Sequence, residues 1–433
     1  MKAGMAKIDI TPSGPVWMDG MIRSHRSTGV HDPLFAKALA LSNDDSLNNC
    51  FVVVSVQVCG LRTDDSLRAR ESASQLTGVP VNHIIIAATH THSGPSTVGH
   101  FNTREEKYIA ELLEKLTLVI QESVKAMQPV AIGCESGNEN TISHYRRLLA
   151  DDGHVVMNWE TWPAEHIIGP LGVVDSEVGV LKIVSADHPE TTMGLLFNHA
   201  GHPNVMSGDN YLISADYPGL AEKLVAQTVG GEALFINGAQ GTMDIDGLKD
   251  RDWEGVDRVA KALANAVCKT AKEITPLATA SIRGSSASYT VPSRKITDAE
   301  LAWADNILSQ TGENIKPVAD GVGDDYKASL YKQLHDQEDK NISVEQICFA
   351  IDDSAFISFP GELFTEIGMR IKDESPFRRT YLLGLANGRT GYIPTSKAIL
   401  EGGYAVDTRK VDAMAEDIII EQSLALLQKV KKV

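Results

Sequence analysis

The sequence predicts an α/β protein in which helices pack on both sides of a large mixed β-sheet core and a helical insertion lies at the periphery. Short apolar segments rich in Val, Ile and Ala recur along the chain at the length of buried strands. Amphipathic helical segments alternate with several of these strands, which is the pattern of β-α-β units. Near residues 295–342, two helical segments joined by a loop rich in Gly and Asp follow each other without an intervening strand.

Composition and charge exclude several classes of function. The chain has 433 residues, enough to bury a large core, and no linker divides it, so we predict a single domain over residues 1–433. Its 40 Lys and Arg against 57 Asp and Glu give a net charge of −17, which disfavours nucleic acid and anionic membranes as partners. Five scattered cysteines without CxxC spacing, and no apolar segment of signal-peptide or membrane-spanning length, predict a cytoplasmic protein without membrane insertion. The sequence leaves the oligomeric state open.

The first half of the chain contains a predicted β-α-β unit. Thr63 caps its helix, acidic residues occupy the first turn, and Gly78 follows the helix end. A capping box that starts at Thr103 predicts a second, long amphipathic helix. The strands predicted in this half are residues 7–12, 38–41, 51–58, 81–86, 130–134, 178–184 and 193–198, and the helices are 63–76 and about 103–127.

The second half continues the alternation of strands and helices. The segments 144–147 and 150–172 are predicted as loops, the longer one being either a lid or a packed surface loop. Beyond them, strands are predicted at residues 233–236, 280–291, 346–351, 355–359 and 381–386, and helices near 216 and at 253–274, 298–310, 324–337 and 411–429.

Two histidines follow the buried strand at residues 81–86. His90 and His92 lie two residues apart, so in an extended segment their side chains point to the same face. A Ser-Gly-Pro sequence then ends regular structure, which places the pair at the carboxyl end of a strand, where α/β sheets form binding crevices. Neutral imidazole is a common zinc ligand and the usual proton shuttle near neutral pH. Polar strand-end histidines bonded to backbone groups are the alternative.

A second histidine cluster has the same arrangement. The predicted strand at residues 193–198 runs into His199, and His202 precedes a proline. Two strand-terminal histidine clusters are harder to explain as buried polar residues than one. Because a catalytic zinc usually has three protein ligands, the two clusters could supply two or three of them.

Other polar residues at strand ends admit two interpretations. The paired Arg146 and Arg147 are surface charge or, beside a metal, donors that stabilise an oxyanion. Glu362, at a strand-to-helix junction, and Asp216 are both explained as helix-capping acids. The turn at residues 237–244 is rich in small residues and allows close approach of a ligand, but it lacks the Gly-Lys-Ser/Thr of a phosphate-binding loop.

Taken together, these segments resemble the neutral/alkaline non-lysosomal ceramidase family, in its amino-terminal catalytic domain. The Thr-His-Thr-His-Ser-Gly-Pro block at residues 89–95 is the most specific element, and the others are strong as a series. The resemblance covers most of the chain in the order of the family. Its blocks are residues 6–12, 29–34, 88–95, 202–203, 214–216, 360–362 and 391–395, and it ends at Tyr404.

The resemblance implies one catalytic zinc ion held by four side chains. The ligands that it carries over are His90, His202, Glu362 and Tyr392. His92 resembles the general acid/base of the family, and Tyr404 resembles the tyrosine that binds the oxyanion together with an arginine. Arg146 is the preferred match for that arginine, and Arg147 fits nearly as well.

This residue set is chemically coherent. Two imidazoles and a carboxylate leave zinc an open position for a water, whose pKa falls to around 7. His92 can take a proton from that water and give it to a leaving amine, while a tyrosine and a guanidinium stabilise the developing charge. A tyrosine ligand is unusual, so Tyr392 could instead donate a hydrogen bond. Manganese, iron or nickel would also tolerate a mixed nitrogen and oxygen shell.

The chain departs from the family in three respects. Aligned on Gly241, it has Thr242 and Asp244 where the family has the aspartate and the serine of a Gly-Asp-Val-Ser-Pro sequence. It shows neither the immunoglobulin-like carboxyl-terminal domain nor an export signal. We therefore expect a zinc-dependent hydrolase that cleaves an amide, ester or lactone bond of a small polar substrate. True ceramide hydrolysis, a non-catalytic metal-binding protein and a metal-free sugar- or lipid-binding protein are the alternatives.

Overall fold

This computed structural model describes residues 1–99, 101–245, 251–312, 315–337 and 340–432. Its elements up to residue 245 are β1 (Lys2–Asp9), β2 (Gly29–Val30), β3 (Phe35–Ser42), β4 (Phe51–Val56), α1 (Thr63–Thr77), β5 (Ile84–Ala88), α2 (Glu106–Lys125), β6 (Gln128–Asn138), β7 (Ser143–Tyr145), β8 (Arg147–Ala150), β9 (Val155–Met157), β10 (Ile167–Pro170), β11 (Glu177–Ser185), β12 (Thr192–His199), β13 (Leu212–Ile213), α3 (Asp216–Val229), β14 (Glu232–Asn237) and β15 (Met243–Ile245). Its elements beyond residue 250 are α4 (Trp253–Glu273), β16 (Ile282–Pro292), α5 (Asp298–Thr311), α6 (Asp324–Asp336), β17 (Asn341–Ile351), β18 (Ser354–Ser358), β19 (Glu362–Leu363), α7 (Thr365–Asp373), β20 (Arg379–Leu383), β21 (Tyr392–Ile393), α8 (Ser396–Glu401), α9 (Tyr404–Asp407) and α10 (Ala415–Lys432).

The main sheet of the described chain has the strand order β14-β12-β11-β6-β1-β3-β4-β5. The pairs β12–β14 and β4–β5 are parallel and the others antiparallel, so the sheet is mixed, as predicted. A second sheet, β16-β17-β18-β20, stacks on one face of it. Val53, Leu181 and Leu234 of the main sheet share one buried apolar cluster with Phe349 and Phe356 of the second sheet.

Helices cover the outer faces of both sheets. On the main sheet, α1 and α2 pack over one half, where Leu112 joins the buried cluster around Val54. The helices α3 and α4 pack over the other half, where Leu263 and Phe235 share a cluster. On the second sheet, α7 and α10 bury residues such as Ile419. Apolar side chains point alternately to the two faces of each strand, so each sheet is apolar on both faces. The predicted α/β class with helices on both sides of the sheet core is confirmed.

The carboxyl ends of strands from both sheets meet at one place. Gly384 N donates to the backbone oxygen of Asn237, at the end of β14, at 2.8 Å. Asn387 N donates to the backbone oxygen of Ile86, in β5, also at 2.8 Å. The segment after β20 therefore lies between the ends of β5 and β14. The loops that follow these strands share a crevice, as is usual at strand ends of α/β folds.

The segments 144–147 and 150–172, predicted as loops, contain strands. The strands β8, β9 and β10 form a small sheet, and β7 pairs with β15, so that Tyr145 faces Met243. Each of these strands has only three or four residues. Pairing with distant segments, rather than local propensity, decides such short strands.

The predicted capping box at Thr103 is wrong. The helix α2 begins at Glu106, and no side chain caps it. The Glu106 carboxylate accepts a hydrogen bond from Arg104 at 2.7 Å, and the neighbouring Glu105 accepts one from the backbone of Trp17 at 2.8 Å. Because these acids are engaged by other partners, the local cap does not form.

The predicted helical insertion is a pair of packed helices. A capping box formed by Thr297 and Glu300 starts α5, and α5 contacts α6 through Trp303 and Tyr331, whose ring centroids lie 5.6 Å apart. Residues 313–314 and 338–339 of the predicted insertion lie outside the described residues. The assignment of the whole chain to a single domain stays a prediction. Within the described ranges, no helix has the length and apolar character needed to cross a membrane.

Candidate metal centre

Two buried imidazoles face each other beyond the ends of β5 and β12. His90 has a left-handed backbone conformation (φ 78°), which is strained for a residue other than glycine, and its Nδ1 lies 2.7 Å from the Cys59 carbonyl oxygen. His202 Nδ1 lies 2.9 Å from the Met243 carbonyl oxygen. Because both Nδ1 atoms contact carbonyl oxygens, both must carry the hydrogen, and each Nε2 is directed toward the space between the rings. The ring centroids lie 4.9 Å apart.

Glu362 completes a three-residue ligand set with His90 and His202. Its Oε2 lies 3.4 Å from Nε2 of His90 and 3.3 Å from Nε2 of His202. The three ligand atoms all lie within 4.8 Å of one another, and all three residues are buried. Neither carboxylate oxygen has a hydrogen-bond partner among the described residues. A buried carboxylate and two imidazole nitrogens in this arrangement are donors that suit a metal cation, so the residues present fit a metal ion.

Strand pairing brings a fourth residue, Tyr392, to the ligand set. The short parallel strands β19 and β21 place Glu362 opposite Tyr392. The Tyr392 hydroxyl lies 3.5 Å from Nε2 of His202. The helix α7 begins only at Thr365, so the alternative interpretation of Glu362 as a helix-capping acid is wrong.

The charges of the ligand set are coupled. Burial would raise the pKa of Glu362, but His90 and His202 hold it well below its usual range. Burial would lower the pKa of His90, but Cys59 and Glu362 outweigh this effect and raise it to about 10. Burial and the Arg146 guanidinium lower the pKa of His202 to about 4. A single proton on the imidazoles thus balances the carboxylate, and a metal cation can replace it because ligating imidazoles bind through a deprotonated nitrogen.

His92 lies beside the ligand set. Its Nε2 is 3.3 Å from Nε2 of His90, and its Nδ1 has no hydrogen-bond partner within the part of the chain that the structure describes. Arg23 donates to its backbone oxygen at 2.8 Å, and Gly20 packs so closely that a Cβ there would lie 2.4 Å from the His92 ring. Burial and the imidazoles of His90 and His202 lower the pKa of His92 well below its usual value, so this ring is neutral and can accept a proton.

Arg146 reaches the ligand set, whereas Arg147 points away from it. The Nη1 of Arg146 lies 3.2 Å from Nε2 of His202, and its Nη2 donates to the Gly241 carbonyl oxygen at 2.7 Å. Arg147 donates to the Glu401 carboxylate at 3.0 Å. Neighbouring residues of an extended segment point to opposite faces, so only one of the two arginines can face the crevice.

Tyr404 lies on the outer side of the cluster, in an aromatic group around Arg146. Its ring centroid is 5.8 Å from that of Tyr392 and 5.4 Å from that of Trp159. The Arg146 guanidinium lies 5.0 to 5.9 Å from these three rings. The structure therefore brings together all seven residues selected from the sequence, which are His90, His92, Arg146, His202, Glu362, Tyr392 and Tyr404.

Sequence reasoning missed two residues that contact the cluster. Arg389 Nη2 lies 3.6 Å from Oε1 of Glu362. The sequence feature that could have identified Arg389 is its position in the polar segment after β20, three residues before Tyr392. Cys59 orients His90 through its backbone oxygen, for which no side-chain pattern gives a signal. The Cys59 sulfur also lies within 4.8 Å of ligand atoms of His90 and His92, but the Nδ1 that it approaches is already engaged by the Cys59 carbonyl oxygen.

Two other polar residues selected from the sequence have structural environments away from the ligand set. His199 contacts Ser143 Oγ at 3.0 Å and the Glu177 carbonyl oxygen at 2.9 Å. Asp216 accepts a hydrogen bond from Tyr217 N at 2.7 Å at the start of α3. The backbone-bonded alternative thus describes His199. No side chain caps α3, so the interpretation of Asp216 as a helix-capping acid is wrong.

One cavity adjoins the ligand set, and a second, larger cavity shares only Tyr404 with it. The smaller has a volume of about 40 Å³ and is lined in part by Glu362, Tyr392, Arg389 and Lys410. The larger has a volume of about 600 Å³, and its polar and aromatic lining includes Trp159, Glu160, Asp320, Lys327, Glu401 and Asp407.

Comparison with known families and proteins gives a consistent result. Residues 1–242 match the model of the family described as neutral/alkaline non-lysosomal ceramidase, N-terminal. A curated relative, the neutral ceramidase of Pseudomonas aeruginosa, is 25% identical over 243 residues, which are 54% of this chain. The match covers 34% of that protein, so it spans about a third of the relative's length.

Solved structures share the fold over nearly the whole chain. A crystal structure of neutral ceramidase from Pseudomonas aeruginosa has a TM-score of 0.73 at 17% identity, covering 99% of this chain and 75% of that one. A ceramidase complexed with C2 has a TM-score of 0.74 at 18% identity, covering 100% and 75%. At these identities the structural likeness establishes the fold.

Proposed function

The chain belongs to the neutral/alkaline non-lysosomal ceramidase family, and we propose that it is a zinc-dependent hydrolase cleaving an amide bond, or an ester or lactone bond, of a small polar substrate. The observation that carries this proposal is the convergence of Nε2 of His90, Nε2 of His202 and a Glu362 carboxylate oxygen within 4.8 Å. These three residues and Tyr392 would hold one zinc ion. A bound zinc ion supplies Lewis acidity and an activated water at neutral pH.

His92 is proposed as the general acid and base. Its ring is neutral, and its Nε2 lies next to the ligand set, 3.3 Å from His90 Nε2. A neutral imidazole can take a proton from the attacking water and then deliver it to the leaving amine or alcohol. The contacts of Arg23 and Gly20 hold the His92 backbone and ring in place during both transfers.

Arg146 and Tyr404 are proposed to stabilise the negative charge that develops on the carbonyl oxygen. Arg146 is fixed by the Gly241 carbonyl oxygen and by the rings of Tyr392 and Tyr404, so its guanidinium is pre-oriented. Burial raises the pKa of Tyr404 to about 12, so its hydroxyl is a hydrogen-bond donor at neutral pH. Fixed donors in a site of low dielectric stabilise an oxyanion more strongly than water does.

The preference for a small polar substrate rests on the larger cavity. Charged side chains such as Glu160, Asp320, Lys327 and Asp407 line it, which favours a hydrated substrate over an acyl chain. Asp244, at the family's serine position, is buried.

Ceramide is the second candidate substrate, favoured by the family match and by the curated relative named neutral ceramidase. A cytoplasmic location and the absence of a nucleic-acid partner stay predictions.

The proposal is tested by elemental analysis of protein purified without chelators or an affinity-column metal. We expect about one zinc per chain in the parent and almost none in the His90→Ala/His202→Ala variant. The parent is then assayed with small amides, esters, lactones and detergent-solubilised ceramide. If the parent takes up no metal on incubation, the hydrolase proposal fails. If it binds metal and cleaves none of the panel, a non-catalytic metal-binding protein is the better description.

A further inference from the structure

The smaller cavity beside Glu362 contains a cation without an acidic partner. Lys410 lines this cavity, and its ammonium has no hydrogen bond or ion pair with any other residue of the described ranges. The charged groups that act on it are two guanidinium groups, those of Arg389 and Arg62. Burial and these two cations lower the pKa of Lys410 to about 8. Two cations, Arg389 and Lys410, therefore line this cavity together with the Glu362 carboxylate.

Arg389 lines the same cavity and has unused hydrogen-bonding capacity. Its Nη2 lies 3.6 Å from Glu362, beyond hydrogen-bond distance, and its buried Nε has no partner among the described residues. Asp19 also acts electrostatically on Arg389, but its Oδ2 already accepts backbone hydrogen bonds from Thr97 and Val98, each at 2.8 Å. The charge of Glu362 is shared with the imidazoles of the ligand set.

The size of the cavity restricts what can neutralise these cations. A volume of about 40 Å³ holds about three or four water-sized groups, each of which needs roughly 10–15 Å³. A carboxylate, which has three heavy atoms, fits this space. A partly buried cation without a counter-charge is unfavourable, and a planar oxyanion can accept hydrogen bonds from a guanidinium and an ammonium together.

We propose that the substrate of this site carries a carboxylate next to the bond that is cleaved, and that Arg389 and Lys410 bind it. The cavity also contacts Glu362 and Tyr392, so a carboxylate held there lies beside the ligand set. This inference rests on the proposed function for the position of the scissile bond. It makes N-acyl amino acids and related acids the expected substrate class and disfavours ceramide, which has no anionic group.

The test compares acids with their neutral counterparts on the zinc-loaded full chain. A panel of N-acetyl amino acids is paired with the corresponding carboxamides, and dissociation constants are measured by calorimetry alongside release of free amine. We expect the acids to bind at least about tenfold more tightly, as charged hydrogen bonds predict. In Lys410→Met this ratio should fall about tenfold, and Lys410→Arg should restore it. Lys261→Met, which removes an exposed lysine of α4, is the control for net charge.

The outcomes separate this inference from the proposed function. Cleavage of acids and carboxamides with equal affinity overturns the anion site and leaves the hydrolase standing. Tighter binding of the acids without cleavage of any compound overturns the hydrolase and leaves the anion site standing. Failure of both members of every pair to bind overturns the anion site. Should Lys410→Met fail to fold, the ratio measured on the parent decides.

Discussion

Two clusters of buried charge in this molecule differ in how completely they are hydrogen-bonded. In the first, which we call the structural ion pair, Lys37 and Glu222 lie 2.9 Å apart. Lys37 also donates to the Ala233 carbonyl oxygen at 2.8 Å, and Glu222 accepts hydrogen bonds from Gln57 and from Phe235 N at 2.7 Å each. The partners of both charged groups are supplied by the fold itself.

The second cluster, the ligand set of His90, His202 and Glu362, is incomplete in this respect. Its Nδ1 atoms are held by backbone oxygens, but neither oxygen of the buried Glu362 carboxylate has a hydrogen-bond partner among the described residues. Buried polar groups in native proteins are normally satisfied, so an unsatisfied cluster needs a ligand. The comparison thus distinguishes buried charges that stabilise the fold from buried charges that belong to a ligand-binding site.

The largest effect is expected from Glu362→Gln. This change removes a ligand charge but no hydrogen bond, so metal content should fall to near zero and hydrolysis by at least about a thousandfold. The unfolding free energy of the metal-free protein should fall by less than in a single variant of the structural ion pair, because His90 can release its proton once the Glu362 charge is removed. Elemental analysis, activity and denaturant unfolding measure the three quantities. Full metal content in this variant would remove Glu362 from the ligand set.

The opposite result is expected from Glu222→Ala in the structural ion pair. It removes the nearer carboxylate of the buried Lys37 and leaves only that of Glu232 at 3.6 Å, which should lower the unfolding free energy by up to about 3–5 kcal/mol while one metal per chain is retained. The double variant Lys37→Met/Glu222→Leu should recover most of the loss, because no unpaired charge remains. Denaturant titration measures the unfolding free energies of the single and double variants. Loss of metal in the folded Glu222→Ala variant would contradict the distinction between the structural ion pair and the ligand set.

A third test compares the adjacent arginines. Arg146→Gln should lower kcat by about 10²–10³-fold at unchanged metal content, because it removes a donor aimed at the developing oxyanion. Arg147→Gln is the matched control, since this side chain binds Glu401 on the other side of the chain. It should reduce stability without a comparable effect on kcat. Equal loss of kcat in both variants would contradict the assignment.

A smaller effect is expected from Gly20→Ala. Gly20 has a φ of 86°, and a Cβ there would overlap the His92 ring at 2.4 Å, so the general base should be displaced while the ligand set stays intact. We expect kcat to fall by about 10- to 100-fold with metal retained. Gly14→Ala, where an added Cβ meets nothing within 4 Å, is the control. Normal activity of Gly20→Ala would show that the function of His92 does not depend on a glycine at position 20.

The smallest effect concerns a buried acid outside both clusters. Burial raises the pKa of Asp216 to about 7, so the folded state retains a proton that the unfolded state releases at lower pH. Stability should therefore decrease as pH rises from about 4 to 7, by at most about 1.4 kcal/mol per pH unit from this group. Asp216→Asn should flatten that decrease. Urea unfolding at pH 4.5, 6 and 7.5 measures the slopes, and identical slopes would refute the expectation.

The histidines at the strand ends could be predicted as candidate site residues from the local sequence. The His-Thr-His block and the His-Pro sequence after residue 198 could be recognised because apolar strand patterns end immediately before them. The α/β class followed from the same patterns. By contrast, the choice between Arg146 and Arg147 could not be made from the sequence, since it depends on which face of an extended segment meets the crevice.

The sequence by itself determined the strands and helices of the core, the strand-end positions of the histidines and, through resemblance to a family, the residues to examine. Tertiary structure alone decided that β19 pairs with β21, which places Glu362 opposite Tyr392, although 30 positions separate them. It also decided that Arg389 and Lys410 share a cavity. The physical reason is that periodicity acts within one element, whereas ligand geometry depends on contacts between segments far apart in the chain.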